Sequence, residues 1–414
     1  MKVKIKVGRI IIFIVSIVLL IILICIIIPN KNFMIKNYEG KKLTELKEFT
    51  DKKDINLVIT YSYSKKYKKD IIISQDKKDK EITKDTIIKI VVSKGIINDD
   101  TLKENKVNEL GKIPVMMYHG VQDIKSEDTG YTGGNIDVDG YQRTVEAFKA
   151  DLDMYYEKGY RCIRLEDYVK ENIDVEFGKS PIVLTFDDGL VNAIKVTGED
   201  ENGIIIDPNS AVGIMEAFKE KHPDFNITAT FFVNGSLFNQ TAYNSKILKW
   251  LVNNGYDVGN HTYDHNNLGA TSIDKTEEVI AKVYQKLDEI IPNKYVNIIA
   301  LPFGKPDSTD HANFQYILKG KYNDYEYETL TTLRVGWEPE YSPFNTSFNK
   351  VYIKRVRAWD NNGENFDIAY TFEHLEQNRY ISDGDKDMIT YPSSLEKKLN
   401  KDIKDKTTYS YNVD

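Results

Sequence analysis

Hydrophobic and polar positions along the chain fall into three regimes. Ile10 to Ile28 is an apolar run of about nineteen residues; at about 1.5 Å per residue it is long enough to cross a hydrocarbon core of roughly 30 Å. Lys2, Lys4, Lys6 and Arg9 precede it, so the run is expected to be a transmembrane signal anchor with residues 1–9 cytoplasmic and the remainder outside. No small-x-small cleavage site follows it. From 36 to 95 the pattern is that of a small α+β unit. Leu43, Leu46 and Phe49 recur at helical spacing, and strands are expected over Leu57 to Tyr63, Asp70 to Ser74 and Thr86 to Ser93. Residues 96–112, rich in Asn, Asp, Lys and Glu, are expected to form a polar linker.

The third regime, residues 113–414, alternates short apolar runs with amphipathic segments. Ile182-Val183-Leu184, Ala229 to Val233 and Tyr256 to Asn260 have the composition of buried strands. Val145, Phe148, Leu152 and Tyr155 mark one amphipathic helix, and Val279, Ile280, Val283, Leu287 and Ile291 mark another behind a Ser272 cap. This alternation, in about 300 residues, is enough for one α/β core. Lys195 to Ala211 is expected to be an inserted polar loop, placed to act as a lid.

Charge divides at the same boundary. Residues 1–100 carry a net charge of +9, and the rest carries −16 of the chain total of −7. The acidic part is therefore a poor nucleic-acid partner, whereas the membrane-proximal part suits anionic lipid or wall polymer. The two cysteines are Cys25, in the apolar run, and Cys162, in an apolar strand; no disulfide framework is expected.

The chemistry concentrates in Thr185-Phe186-Asp187-Asp188-Gly189 and in His261-Thr262-Tyr263-Asp264-His265. Two histidines four apart, on a helical turn or a tight loop, can meet one cation with a carboxylate as third ligand. Such a set leaves a coordination position open for water, as catalytic sites require. The second carboxylate is then spare to act as a base. Both groups end strand-like runs, and in barrel-like α/β folds the strand C-termini collect catalytic groups.

With these motifs in this order, the chain resembles the polysaccharide deacetylases, the NodB-homology domain of carbohydrate esterase family four, over roughly residues 112 to 390. Pro114 to His119, Gly159-Tyr160-Arg161 and Ala229 to Val233 also fit the family's order. The resemblance implies a distorted (β/α) barrel with fewer than eight repeats. It further implies that Asp187 is the general base and that Asp188, His261 and His265 hold one divalent metal ion. Zinc is expected foremost, although cobalt, nickel or manganese suits the same donors. Two departures stand out. Ala300 to Gly304 lacks the arginine of the family's third motif, and the late Leu-x-His motif is missing; His374, in Phe372 to Leu375, reads as a solvated helix face. His119 matches the Tyr-His strand of a branch that includes biofilm-polysaccharide deacetylases, and is expected to be the general acid. Arg355 is expected to replace the missing arginine, with Arg357 open by strand parity. Trp359 is a candidate wall of the sugar site.

Residues 36–95 resemble a PASTA domain in Asn37 to Lys41, Ile73-Ser74-Gln75 and Val91 to Gly95, although the usual Pro and Gly are missing from Asp76 to Asp85. Together these features imply metal-dependent N-deacetylation of an N-acetylated cell-surface polysaccharide outside the membrane. Peptidoglycan N-acetylglucosamine is the leading substrate and poly-N-acetylglucosamine the alternative. A non-catalytic glycan-binding protein is the reading from a different class.

Overall fold

The computed structural model describes residues 32–413 apart from positions 65 and 337. The expected basic segment 1–9 and span 10–28 lie outside these residues. No helix among the described residues is long and apolar enough to cross a membrane. The chain divides into two compact units at Asn98.

In the first unit a helix, Leu43–Asp51, packs on a three-stranded sheet in the order Asn56–Ser64, Ile87–Ile96, Ile72–Gln75. The central strand runs parallel to the first and antiparallel to the third. Leu43 and Leu46 are buried with Ile35, Ile72, Ile88, Ile90 and Val92. The helix and strands follow the expected order, and a further antiparallel pair, Phe33–Ile35 with Lys80–Ile82, was not foreseen.

The expected linker is mostly part of the second unit. Residues Asp99–Glu104 form a helix, and Leu102, Val107 and Leu110 are buried. Buried Glu109 accepts hydrogen bonds from the Tyr380 hydroxyl at 3.0 Å and the Thr390 amide at 2.8 Å. The polar composition hides one apolar residue every few positions, too sparse to register as an amphipathic period yet sufficient to anchor the segment.

The second unit is built on parallel strands: β1 (Val115–Tyr118), β2 (Tyr160–Cys162), β3 (Ser180–Phe186), β4 (Thr230–Val233), β5 (Asp257–Asn260), β6 (Ile298–Ala300), β7 (Thr331–Leu333), β8 (Tyr352–Ile353) and β9 (Val356–Arg357). Their order is β8-β7-β6-β5-β4-β3-β1-β9, with β2 on the N-terminal half of β3. The end strands β8 and β9 are consecutive in the chain, separated by only Lys354 and Arg355. A sheet whose two edges are joined by two residues must curl round, and Arg355 stands in the seam.

Side-chain alternation then sorts the residues. Met116, Tyr118, Ile182, Leu184, Phe186, Phe231, Val233 and Val258 belong to one apolar cluster together with helical residues from α1 (Val145–Glu157), α2 (Ala211–Lys221), α3 (Asn244–Asn253) and α4 (Ile273–Ile290). The Tyr118, Phe186 and Phe231 rings stack in a row on that outer face, with centroids 5.3 and 5.1 Å apart. Val115, Val183, Phe232, Ile298, Ala300, Leu333 and Ile353 form a second cluster on the opposite face. Gly259 makes room there, since a Cβ would lie 2.5 Å from the Phe232 ring. By the same period of two, His119, Asp187, His261 and Arg355 follow the inner face at the strand C-termini.

The expected loop at 195–211 is a hairpin, Val196–Asp200 paired with Gly203–Ile206, tied by the Val196 amide donating to Gln240 Oε1 at 2.9 Å. None of its residues lines the cavity described below.

Candidate active site

Asp187 and Asp188 leave the end of β3 in opposite directions. Asp187 continues the extended chain, its amide donating to the Tyr118 carbonyl at 2.9 Å, and its side chain is buried inside the barrel. Asp188 takes a left-handed conformation (φ 71°) that turns its carboxylate toward β5. Gly189 must follow, because its φ is also positive and a Cβ would meet the Leu237 carbonyl at 2.0 Å.

Arg355 is completely buried and clamps Asp187 with two hydrogen bonds, Nη1 to Oδ1 at 2.8 Å and Nη2 to Oδ2 at 2.6 Å. Its Nε donates to the Arg334 carbonyl at 3.0 Å. Burial alone would raise Asp187, but Arg355 and His261 outweigh it and hold the carboxyl below its ordinary value. Arg357 goes elsewhere: its Nη1 donates to the Asp139 carbonyl at 2.8 Å. Of the two arginines left open by parity, Arg355 is the one that reaches the carboxylate.

Asp188 Oδ1 lies 3.1 Å from His261 Nε2 and 3.3 Å from His265 Nε2, and these three side chains can share one cation. His261 and His265 sit on a tight turn rather than a helix, with Thr262 and His265 both left-handed (φ 60° and 53°). For a β-branched residue such as Thr262 this is strained, at a cost of order 1–3 kcal/mol. Buried Asn260 supports the turn: its Oδ1 accepts the Thr262 amide at 2.8 Å and its Nδ2 donates to the Ile280 carbonyl at 3.0 Å.

The donors fit a metal ion. His261 Nδ1 lies 2.7 Å from the Ala300 carbonyl, so the proton belongs on Nδ1 and the Nε2 lone pair faces Asp188, the arrangement that orients metal-ligating imidazoles. Asp188 Oδ1 is buried without a hydrogen-bond partner. Burial would raise the Asp188 carboxyl, but the imidazoles crowded around it, His261 first and then His119 and His265, hold it well below the carboxylate range. Asn260→Ala should weaken metal binding by about 10–100-fold through loss of this support; titration with zinc or cobalt checks it.

His119 follows β1, with Nε2 3.8 Å from Asp188 Oδ2. Burial keeps it below the ordinary imidazole value although Asp187 and Asp188 pull the other way, which makes its protonated form a stronger acid. His119, Asp187, Asp188, His261 and His265 line one cavity of about 320 Å³, with Tyr141, Leu301 and Phe303 among its walls. Phe303, left-handed and 62% exposed, stands edge-on to His265 at 4.6 Å. His374 is outside this cavity and stacks on Tyr370 at 3.7 Å. Trp359 does not line it either.

Residues 174–316 match the family model for polysaccharide deacetylase. The matched segment contains Asp187, Asp188, His261 and His265, whereas His119 and Arg355 fall outside it. Among solved structures, the deacetylase PplD of Streptococcus pyogenes in complex with acetate is similar at 19% identity, covering 63% of this chain and 98% of that one, with a TM-score of 0.45. The BpsB deacetylase domain from Bordetella bronchiseptica is similar at 11% identity over 61% of this chain and 97% of that one, with a TM-score of 0.37. Peptidoglycan deacetylase PdaC from Bacillus subtilis is similar at 23% identity over 37% of this chain and 60% of that one, with a TM-score of 0.24. No curated protein matches the chain.

Sequence reasoning missed Tyr141, Asn260 and Phe303 as parts of the site. Asn260, immediately before His261, had the best available signal, a polar residue closing a buried strand.

Proposed function

We propose that this protein is a metal-dependent N-deacetylase of a cell-surface glycan, with peptidoglycan N-acetylglucosamine as its substrate. The observation that carries the reading is a buried carboxylate, clamped by an arginine, beside two histidines and a second carboxylate able to share one cation. A divalent ion held by Asp188, His261 and His265, zinc foremost, would supply Lewis-acid polarisation of the acetyl carbonyl and acidify the attacking water. Asp187, kept ionised by Arg355, accepts the proton of that water. The Asp187 amide is already spent on Tyr118, so an oxyanion donor from this turn is to be sought after it. His119 protonates the departing sugar nitrogen, leaving acetate and a free amine.

The apolar run 10–28 and the basic segment before it support a membrane-anchored protein whose catalytic unit faces the wall, and the PASTA-like residues 36–95 support a spacer or wall-binding role. Poly-N-acetylglucosamine is the second reading, favoured by the placement of His119 on the first strand. The deciding measurement is acetate release from peptidoglycan and from short N-acetylglucosamine oligomers, with bound metal assayed in parallel. Release from peptidoglycan is expected to be the faster. Bound metal without release from either substrate would instead identify a non-catalytic glycan-binding protein. Treatment with a chelator should abolish release and zinc or cobalt should restore it, whereas His261→Ala should stay inactive on re-addition.

A further inference from the structure

The proposed acid, His119, has no carboxylate behind it. Its Nδ1 is buried without a hydrogen-bond partner, so the bond that commonly fixes the plane of a working imidazole is not made on that side. What touches the ring instead is Tyr141, with centroids 4.7 Å apart at 49°. The backbone couples the same two residues, because the His119 amide donates to the Tyr141 carbonyl at 3.0 Å.

Tyr141 is itself held from two sides. Asp137 caps the turn beneath it, Oδ1 accepting the Tyr141 amide at 3.0 Å and Oδ2 the Gln142 amide at 3.2 Å. Arg357, on β9, is almost fully buried and grips the turn through the Asp139 carbonyl at 2.8 Å and the Asp139 carboxylate at 3.5 Å. Its guanidinium carbon lies 5.4 Å from the Tyr141 ring centroid and 5.2 Å from that of Trp359. Trp359 closes the stack against Gly140, where a Cβ would come within 2.4 Å of the indole. A buried planar guanidinium packed against two aromatic rings is a stiff support, and the burial of Arg357 strengthens each contact.

We propose that Tyr141, fixed by Arg357, sets the orientation of His119 for proton donation, which makes Arg357 a positioning residue for the acid half of the reaction. This rests on the deacetylase reading above. In the step concerned, the C–N bond of the tetrahedral adduct breaks and its electron pair stays on nitrogen. The proton leaves His119 Nε2 for that nitrogen, giving acetate, the free amine and a neutral imidazole. Water attack, served by Asp187, does not draw on this support.

The two halves separate by leaving group. A sugar amine must be protonated to depart, whereas the phenolate of 4-nitrophenyl acetate leaves unaided, so a variant with a misoriented acid loses amide hydrolysis selectively. The measured quantity is the ratio of N-acetylglucosamine-oligomer deacetylation to 4-nitrophenyl acetate hydrolysis in the metal-loaded full chain. Arg357→Met should lower this ratio about tenfold and Tyr141→Leu by about 10–100-fold, while Tyr141→Phe, which restores the ring, should stay within about threefold of the parent. A ratio unchanged in both Arg357→Met and Tyr141→Leu would overturn the proposal, as would equal losses in Tyr141→Phe and Tyr141→Leu. If Arg357→Met does not fold, the Tyr141 pair decides alone. A parent protein that hydrolyses the aryl ester but releases no acetate from any N-acetylated glycan would sink the deacetylase reading instead.

Discussion

Asp187→Asn should reduce acetate release by about 10³-fold or more while the bound metal content stays at the parent level. The substitution is isosteric and leaves Asp188, His261 and His265 in place, so the metal donors are untouched. What it removes, in the proposed mechanism, is the ability to take a proton from water, a contribution of about 10²–10⁴-fold for a positioned base. The carboxamide oxygen can still accept one hydrogen bond from Arg355, but its NH2 group faces a guanidinium that only donates, so one of the two contacts becomes a donor–donor clash. A loss of stability accompanies the loss of activity, because the fully buried Arg355 is left without its counter-charge. Acetate assay, metal analysis and denaturant melts on one preparation separate the two effects. Activity within tenfold of the parent would show that Asp187 is not the base.

Stability should also report on this carboxylate. Its folded value lies below the ordinary one, so its contribution is present above the unfolded carboxylate range near pH 3.9 and is lost as the pH falls through the lower folded value. Asp187→Asn should therefore flatten the acid side of the stability profile, in addition to lowering it.

How much of this could be read beforehand depended on the length of each element. The apolar strand ending in Phe186 and the run ending at His261 were long enough to place the Asp pair and His261 at strand C-termini. The Tyr-His pair after Val115 did the same for His119. The seam could not be read, since β8 and β9 are two residues each and no periodicity exists over two residues. Parity gave Arg355 and Arg357 the same side; which one reaches Asp187 depends on their height along the barrel, which only the curl of the sheet sets. The turn at Thr262 and His265 was equally hidden, because left-handed backbone at non-glycine residues has no reliable sequence mark. Cys162, expected to be buried, is so, and burial pushes its thiol up to about 12.

Arg355→Met should be the most destabilising single change at the site and should also move the acid limb of activity, set by the proposed base Asp187, to higher pH. The parent pair is balanced: burial of Asp187 penalises its charge, and the charge of Arg355, with that of His261 and the two Arg355 hydrogen bonds at 2.8 and 2.6 Å, offsets that penalty. Methionine keeps much of the side-chain volume and removes the cation, leaving a buried carboxylate to bear the desolvation cost, about 3–5 kcal/mol for breaking a buried pair from one side. Part of that cost is avoided by taking up a proton, so the Asp187 carboxyl rises and the acid limb of kcat/KM should move to higher pH. Activity lost at neutral pH should return in part at higher pH, a response that a merely unfolded variant would not give. The double variant Asp187→Asn with Arg355→Met removes both charges. It should melt above Arg355→Met alone while remaining inactive at every pH, since matched removal costs less than an orphaned charge. If the double variant were no more stable than the single one, the orphaned carboxylate would not be the cause of the loss, and packing of the arginine stem in the seam between β8 and β9 would have to carry it.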